Sequence, residues 1–472
     1  MNAARFGIVG LGTMGRNLAL NVESRGVPVA VWDLDPGRVS AFVAAHPGLR
    51  ITGASSLEAL AAAIEPPRRI LLMIPAGAPV DSAIDALRPV LGAGDVLIDG
   101  GNSWYQDTER REVALRGSGI LFVGCGVSGG EEGARLGPSL MPGGPAAAWE
   151  AIRDVLEAIA ARSEAGPCVA HVGPGGAGHF VKMVHNGIEY ADLQLLAESW
   201  DVMRRGLGLD TAATAGVFER WNRGPLESFL VELAARVCRV SDPDTGRPLV
   251  DMVLDRAGQK GTGRWTAQAA LDLGVAVPAI AAAIDARVIS SLKAERVEAE
   301  RRFGTRDAAQ GFAAIDRAIV LGDLHDALYA ARTCAYAQGM ALIDAASAHH
   351  GWSVDLAEVG RIWTAGCIIR ARLLDDVRRA FQATPRPLNL LLDPAVGRAL
   401  QGAEAGWRRT AARAAAAGIP VPCHGAALAY FDAYRSGRLP QNLTQAQRDA
   451  FGAHTYERVD RPGAAHSAWT PG

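Results

Sequence analysis

Lysine is almost missing from this chain. Of 48 basic residues in 472, three are lysines (Lys182, Lys260 and Lys293) and the other 45 are arginines. An excess of either charge is missing too: 50 acidic residues leave a formal net charge of -2, with an isoelectric point of about 6.6. That balance provides no overall basic field for nucleic acid or an anionic membrane, and leaves only local basic pockets. No apolar run reaches the roughly 18 residues a membrane-spanning helix needs, so no membrane partner is expected. Met1–Arg5 lead straight into an apolar run without the flanks of a secretory leader, so a chain without a leader is expected. The six cysteines (Cys125, Cys168, Cys238, Cys334, Cys367 and Cys423) contain no C-x-x-C pair and no zinc-type cluster. They read as free buried thiols in a reducing cytoplasm. No H-x-x-x-H or carboxylate triad suggests a metal, and none is expected.

What is present describes a globular protein. Hydrophobic residues make up 49% and charged residues 21%, which excludes a largely disordered chain. The length exceeds one ordinary core and implies two or three domains. In the first third, strand-like apolar runs alternate with helical stretches. Phe6–Gly10, Val29–Asp33, Ile70–Ile74, Val96–Asp99 and Ile120–Val127 read as strands, and Cys168–Val172 as the last of the series. Thr13–Arg25 and Pro36–Ala45 read as helices. Such alternation implies right-handed crossovers and a doubly wound parallel sheet. A glycine cluster at Gly173–Gly178 then marks a boundary. Beyond it the pattern is helical to about Tyr434, with His179 to about Gly206 as one long helix. Arg435–Gly472 is polar and aperiodic, either disordered or docked on something. The expected fold is an α/β doubly wound domain over 1–177, an all-helical domain over 178–434 and a C-terminal tail over 435–472.

Gly10-Leu11-Gly12-Thr13-Met14-Gly15 spells G-x-G-x-x-G between the first strand and the first helix. There the glycines permit a tight turn, close approach to a pyrophosphate and helix–sheet contact, and the helix N-terminus offers free N–H groups. In this context the run predicts a Rossmann-type dinucleotide site; the bland alternative is a glycine turn used for packing. Asp33 ends the second strand, where a carboxylate accepts from the adenosine ribose hydroxyls of NAD and repels the 2′-phosphate of NADP. Asp35 and Pro36 read as a helix cap and first-turn residue. Arg38, one turn in, could reach a 2′-phosphate and keeps NADP open.

In the segment from Lys182 to Tyr190, Lys182, His185, Asn186 and Glu189 fall at i, i+3, i+4 and i+7, one polar face of a helix. An exposed face with a lysine–glutamate pair is the bland reading. A lysine in an arginine-rich chain, just after a domain junction, favours a base and an acid flanking a small substrate. The amine must then have a lowered pKa, which arginine cannot supply. The turn Ser128-Gly129-Gly130 could hold a carboxylate or carbonyl oxygen through its N–H groups, or be a structural turn. Lys260, Thr262 and Arg287 would suit a phosphate monoester. Lys293 sits in a solvated helix pattern and reads as structural.

Together these runs resemble the 6-phosphogluconate dehydrogenase family, over nearly the whole chain. The matching runs are GLGTMG from Gly10, GNS from Gly101, GVSGGEEGA from Gly126 and FVKMVHNGIEY from Phe180. GQKGTGRWT from Gly258, SSLKAERV from Ser290, CIIR from Cys367 and QAQRDAFGAHTYE from Gln445 continue the series. The resemblance implies oxidative decarboxylation of 6-phosphogluconate to ribulose 5-phosphate with reduction of a nicotinamide cofactor. It implies Lys182 as general base and Glu189 as the acid that protonates C1. Asn102, Ser128, Gly129, Gly130, His185 and Asn186 match substrate-orienting positions, and Tyr190, Lys260, Thr262 and Arg287 match the sugar-phosphate site. Arg448 and His454 match tail residues that in the family reach the partner subunit's site, which implies a homodimer. Gly10 to Gly15 and Asn102 also match cofactor positions.

The chain departs from many NADP-using members of that family. Where those carry N-R-T, it has Asp33-Leu34-Asp35, and where V-K-A is frequent it has Ile74-Pro75-Ala76. Both changes remove positive charge near the adenosine end, and NAD is the expected cofactor, with NADP possible in second place. Two alternatives stand beside this reading: a dehydrogenase of another phosphorylated sugar acid, and a catalytically silent nucleotide-binding homologue.

Overall fold

The structure, a computed structural model, describes residues 3–259 and 261–470. It falls into two compact units, Met1–Ala427 and Leu428–Gly472.

The first unit begins with a seven-stranded sheet. Its strands are β1 (Phe6–Val9), β2 (Val29–Trp32), β3 (Ile51–Gly53), β4 (Arg69–Leu72), β5 (Val96–Asp99), β6 (Leu121–Ser128) and β7 (Ser139–Gly143), in the order β3-β2-β1-β4-β5-β6-β7. The first six pair in parallel, as expected for short apolar strands joined by helices, and β7 is antiparallel to β6. Strand order reverses between β1 and β4. The carboxyl ends of these two strands therefore open the crevice in which such sheets bind ligands.

Cys168–Val172 is not a regular strand. Leu140 N–H donates to Cys168 O and Val172 N–H to Pro142 O, each at 2.9 Å. Pro142 has no N–H to donate between them, so only isolated bridges form instead of a ladder. β7 itself, read from Ser-Leu-Met-Pro-Gly, carries too little apolar periodicity to stand out in the sequence. β3 is only three residues long.

The helical part is organised by one helix, Ala177–Asp201, continued by a π-helical turn at Val202–Gly206. It begins where the glycine cluster ends and lies against β6. The fit depends on absent side chains. A Cβ on Gly126 of β6 would stand 2.4 Å from the Lys182 Cβ, and one on Gly187 would stand 2.6 Å from Thr266. Thr266, in the helix Thr262–Asp272, donates its hydroxyl to the Met183 carbonyl at 2.9 Å. The polar face expected on this helix is therefore not a solvated one; it is closed in by β6 and by a second helix.

Deeper in the helical layer, Asp192 Oδ2 accepts the Arg332 Nη2 at 2.8 Å and its Oδ1 lies 2.8 Å from the Arg332 Nε as an ion pair, and the two side chains are 1% and 4% exposed. Arg332 belongs to Arg317–His350, which packs on both Ala177–Asp201 and Pro394–Ala417. No helix among the described residues is long and apolar enough to cross a membrane. All six cysteines are free and buried.

The second unit has structure of its own, which its aperiodic sequence did not announce. It holds a helix at Gln441–Gly452 and a small antiparallel pair, Tyr456–Glu457 with Ala464–Ala465. The Asp449 carboxylate gathers the Thr455 N–H at 2.9 Å, the Ser467 N–H at 3.1 Å and the Trp469 indole N–H at 2.7 Å.

Removing one partner of a buried ion pair strands the other. Asp192→Ala is expected to lower the unfolding free energy by about 3–5 kcal/mol, read as a shift of the urea midpoint. An unchanged midpoint would mean that Arg332 finds another partner.

Candidate active site

The crevice at the carboxyl ends of β1, β4 and β5 continues to the helix Ala177–Asp201 as one cleft of about 1370 Å³. Its dinucleotide end is built from the first turn. Gly10 has φ +96°, and a Cβ there would meet the Met73 carbonyl oxygen at 2.5 Å. A Cβ on Gly15 would collide with the Gly10 carbonyl oxygen, whereas one on Gly12 would meet nothing within 4 Å. The first and third glycines therefore close the turn, and the second leaves the open space that a pyrophosphate requires. Gly12, Thr13, Met14 and Gly15 line the cleft, with Ile74, Pro75 and Ala76 opposite them. This geometry fits a dinucleotide.

Asp33 is 8% exposed and already occupied by the backbone. Its Oδ2 accepts the Leu11 N–H at 2.7 Å and its Oδ1 accepts the Asp35 N–H at 2.9 Å. It thus braces the glycine turn as well as carrying charge beside it. Asp35 accepts the Gly37 N–H at 2.9 Å, as a helix cap should. Arg38 lies 3.9 Å from Asp33 and 3.6 Å from Asp35, so its charge is shared between two carboxylates. Leu34 is 86% exposed. Gly10, Leu11 and Asp33–Asp35 shape this end without lining the cleft wall.

At the other end, Lys182, Asn186, Glu189 and Tyr190 face the cleft from a single helix, beside Asn102 and Ser128–Gly130. Burial pushes the Lys182 amine below its usual pKa, against the opposing pull of Glu189. Burial pushes the Glu189 carboxyl above its usual value, against the nearby Lys182 and Arg287 cations. The pair is therefore biased toward a neutral amine and a protonated acid, the forms a base and an acid need. His185, fully buried, does not line the cleft. Its Nδ1 lies 3.3 Å from the Lys182 Nζ and 3.1 Å from the Asn186 Oδ1, and its Nε2 lies 3.1 Å from the Ser128 Oγ. Burial, then the adjacent Lys182, hold its pKa well below normal, so the ring is a neutral brace between strand end and helix.

Thr262 and Arg287 also reach the cleft, with the Arg287 guanidinium 3.5 Å over the Tyr190 ring. The expected phosphate residue Lys260 lies outside the described residues. Lys293 is paired with Asp255 at 2.8 Å, in keeping with a structural role. Arg448 and His454 belong to the second unit, where Arg448 donates to Gln445 Oε1 at 3.0 Å and the His454 ring packs on Phe451.

The cleft also uses residues that the sequence reading passed over: Met73, Gln259, Trp265 and Ile368. Ile368 comes from a distant loop, and its N–H lies 3.4 Å from the Ser128 Oγ. The run C-I-I-R around it was the only available signal; Met73 gave none.

A doubly wound nucleotide-binding sheet coupled to a helical layer, with a buried lysine and a half-buried glutamate at their shared cleft, defines a two-domain nicotinamide-dependent dehydrogenase. Comparison with known proteins narrows this. Residues 5–173 match the model for the NAD binding domain of 6-phosphogluconate dehydrogenase, and residues 178–469 match that for its C-terminal domain. The chain belongs to the 6-phosphogluconate dehydrogenase family. It is 50% identical over 472 residues to a decarboxylating 6-phosphogluconate dehydrogenase of Synechococcus elongatus, covering 99% of this chain and 100% of that one. It is 48% identical to a chloroplastic enzyme of Arabidopsis thaliana, covering 99% and 97% of the two chains. The solved 6-phosphogluconate dehydrogenase of Plasmodium falciparum, studied in its apo form, with its cofactor NADP+ and with its substrate 6-phosphogluconate, superposes with a TM-score of 0.94. That match has 39% identity and covers 98% of this chain and all of the other.

Proposed function

We propose that this chain catalyses the oxidative decarboxylation of 6-phosphogluconate to ribulose 5-phosphate and carbon dioxide, a step of the pentose phosphate pathway, with reduction of NAD. The observation that carries the reading is the pair on one helix face: an amine lowered and a carboxyl raised in pKa, both lining a cleft whose far end is a dinucleotide turn. The bound nicotinamide supplies the hydride acceptor. Gly12 to Gly15 would hold its pyrophosphate, and Ile74–Ala76 and Asn102 would line its path. Lys182, as free amine, removes the proton of the C3 hydroxyl. The ammonium it becomes faces the new C3 ketone and stabilises the negative charge that gathers on that oxygen as the C1 carboxylate leaves as carbon dioxide. C1 in this numbering is lost with the carboxylate, so Glu189 delivers its proton to the carbon that becomes C1 of the product. Ser128, Gly129, Gly130 and Asn186 orient the carboxylate and hydroxyl end. Tyr190, Lys260, Thr262 and Arg287 receive the phosphate end, where a planar guanidinium suits a phosphate oxygen pair.

The NAD preference rests on charge. Asp33 and Asp35 set two carboxylates at the adenosine end, and the Arg38 guanidinium is shared between them. A 2′-phosphate brought to this edge meets net negative charge. We read the chain as a dinucleotide domain over 1–177, a substrate and dimerisation domain over 178–434 and a tail over 435–472. Arg448 and His454 of that tail would complete the site of a second copy in a homodimer. The buried thiols accord with a reducing cytoplasm.

Lys182→Arg keeps the charge but cannot act as a base. It is expected to lower kcat about 10²–10⁴-fold while the dissociation constant for NAD stays within twofold or so. In the parent enzyme kcat/KM should fall as pH drops through the lowered Lys182 pKa, because the amine becomes protonated. It should fall again as pH rises through the raised Glu189 pKa, because the acid form is lost; Glu189→Gln should remove that alkaline limb. Near-normal turnover of Lys182→Arg would dismiss Lys182 as the base.

Initial rates with each cofactor test the charge argument. NAD is expected to give at least about a tenfold higher kcat/KM than NADP, some 1.4 kcal/mol. The triple change Asp33→Asn, Leu34→Arg and Asp35→Thr should reverse that order. Faster reduction of NADP by the parent enzyme would overturn the preference.

A mixing experiment tests the tail. Lys182→Arg and Arg448→Ala chains should each be nearly inactive alone, and co-refolded mixtures should regain activity, because one kind of site then has both an intact lysine and an intact tail from its partner. Mixtures no better than their parents would place the tail in its own chain's site.

A further inference from the structure

Arg111 is an arginine in the wrong place for a surface cation. It lies in the helix Tyr105–Arg116 with its side chain 1% exposed, behind the cleft and not on its wall. A buried guanidinium persists only where its donors are satisfied. Its Nε donates to Asp81 Oδ1 at 2.8 Å, and its Nη2 donates to Asp81 Oδ2 at 3.2 Å and to the Gly77 carbonyl at 3.0 Å. Its Nη1 reaches Asp99 Oδ2 at 3.3 Å and Ser103 Oγ at 3.5 Å. All five donors of the fork have an acceptor.

These acceptors belong to two segments: Gly77 with Asp81 in the first turn of the helix Ala78–Leu87, and Asp99 with Ser103 at the end of β5 and just beyond it. Gly77 ends the segment after β4, which presents Met73 to Ala76 to the cleft. Asp99 ends β5 and is wholly buried; its Oδ1 accepts the Gly101 N–H at 3.0 Å and its Oδ2 accepts the Ser103 hydroxyl at 2.6 Å. That loop presents Gly100, Gly101 and Asn102 to the same cleft. One rigid plane therefore ties the two loops that form the wall opposite the glycine turn. We infer that Arg111 is a positioning residue for the dinucleotide: it fixes the separation of the Ile74–Ala76 and Gly100–Asn102 loops before the cofactor arrives. Preorganised walls spare the bound state an ordering cost, so the effect falls on cofactor affinity first. Most of the groups assigned to the sugar phosphate lie elsewhere, on β6 and on the helices that carry Lys182, Thr262 and Arg287. Only a planar five-donor group spans both loops; an ammonium has three donors on one atom.

The inference rests on placing the dinucleotide in this cleft, and the test separates the two. The full-length Arg111→Lys variant is titrated with NAD alone and with 6-phosphogluconate alone, by intrinsic tryptophan fluorescence, and its melting temperature is recorded. The dissociation constant for NAD is expected to rise about tenfold, as for a binding wall displaced by a fraction of an ångström, with that for the sugar phosphate within about twofold. Asp81→Asn, which keeps the arginine and weakens one bond pair, is expected to move the NAD constant in the same direction by a smaller factor; it decides the matter if Arg111→Lys does not fold. Folded variants that bind NAD like the parent, or that lose both ligands equally together with melting temperature, would overturn the positioning role. Gly12→Val fills the open space in the glycine turn. If it bound NAD normally, the cleft assignment itself would fail and the role of Arg111 with it; if it lost NAD while Arg111→Lys and Asp81→Asn did not, only the role of Arg111 would fail.

Discussion

Desolvation of one helix face is the constraint on which the rest of this molecule depends. Lys182, His185, Asn186 and Glu189 are polar, yet three of the four are buried and Glu189 is only partly open to the cleft. In water the amine would be an ammonium and the carboxyl a carboxylate. Withdrawing both from solvent disfavours the charged forms and moves each toward the state that proton transfer needs. The chain achieves that withdrawal with missing side chains. Gly126 lets β6 meet the helix at the Lys182 Cβ, and Gly187 lets the next helix meet it at Thr266. A methyl group at either place would separate the layers and readmit water. The same glycines are thus conditions for the burial of this helix face.

Burial on this scale also explains the neutral His185. Placed between Lys182, Asn186 and Ser128, a charged imidazole would repel the lysine, and its lowered pKa keeps it uncharged. It joins the end of β6 to the helix that carries Lys182, so the Ser128–Gly130 turn and the lysine are tied together. A corresponding economy operates at the opposite end of the cleft. Asp33 holds the Leu11 amide and thereby the shape of the glycine turn, while its charge acts on whatever approaches the adenosine edge. There one carboxylate both fixes the turn and carries charge beside it.

The distribution of cations follows the same logic. Arginine serves in the fixed pairs, where a planar fork with several donors is useful: Arg332 on Asp192, and Arg111 on Asp81 and Asp99. Lys182 stands where burial lowers the pKa of the group, a position from which a guanidinium would not lose its proton in this pH range. Lys293, by contrast, forms an ordinary pair with Asp255, so the scarcity of lysine did not by itself mark a catalytic residue.

Much was legible in order along the chain, because it depends on local patterns. Apolar runs of four to eight residues marked β1, β2, β4, β5 and β6, and the spacing of three glycines marked the dinucleotide turn. The 3.6-residue repeat placed Lys182 and Glu189 on one face. Properties set by distant neighbours were not legible. Pro142 deprives Cys168–Val172 of a ladder rung only because the two segments lie side by side. The helix Gln441–Gly452 is mostly polar, and its unit is organised around the buried Asp449, whose partners come from the following segment. Ile368 reaches the cleft across 240 residues, through its contact with Ser128. The sequence alone determined which groups exist and which face of which element they share. Only the tertiary structure decided which of them lost their water, and that loss lowers the pKa of the lysine and raises that of the glutamate.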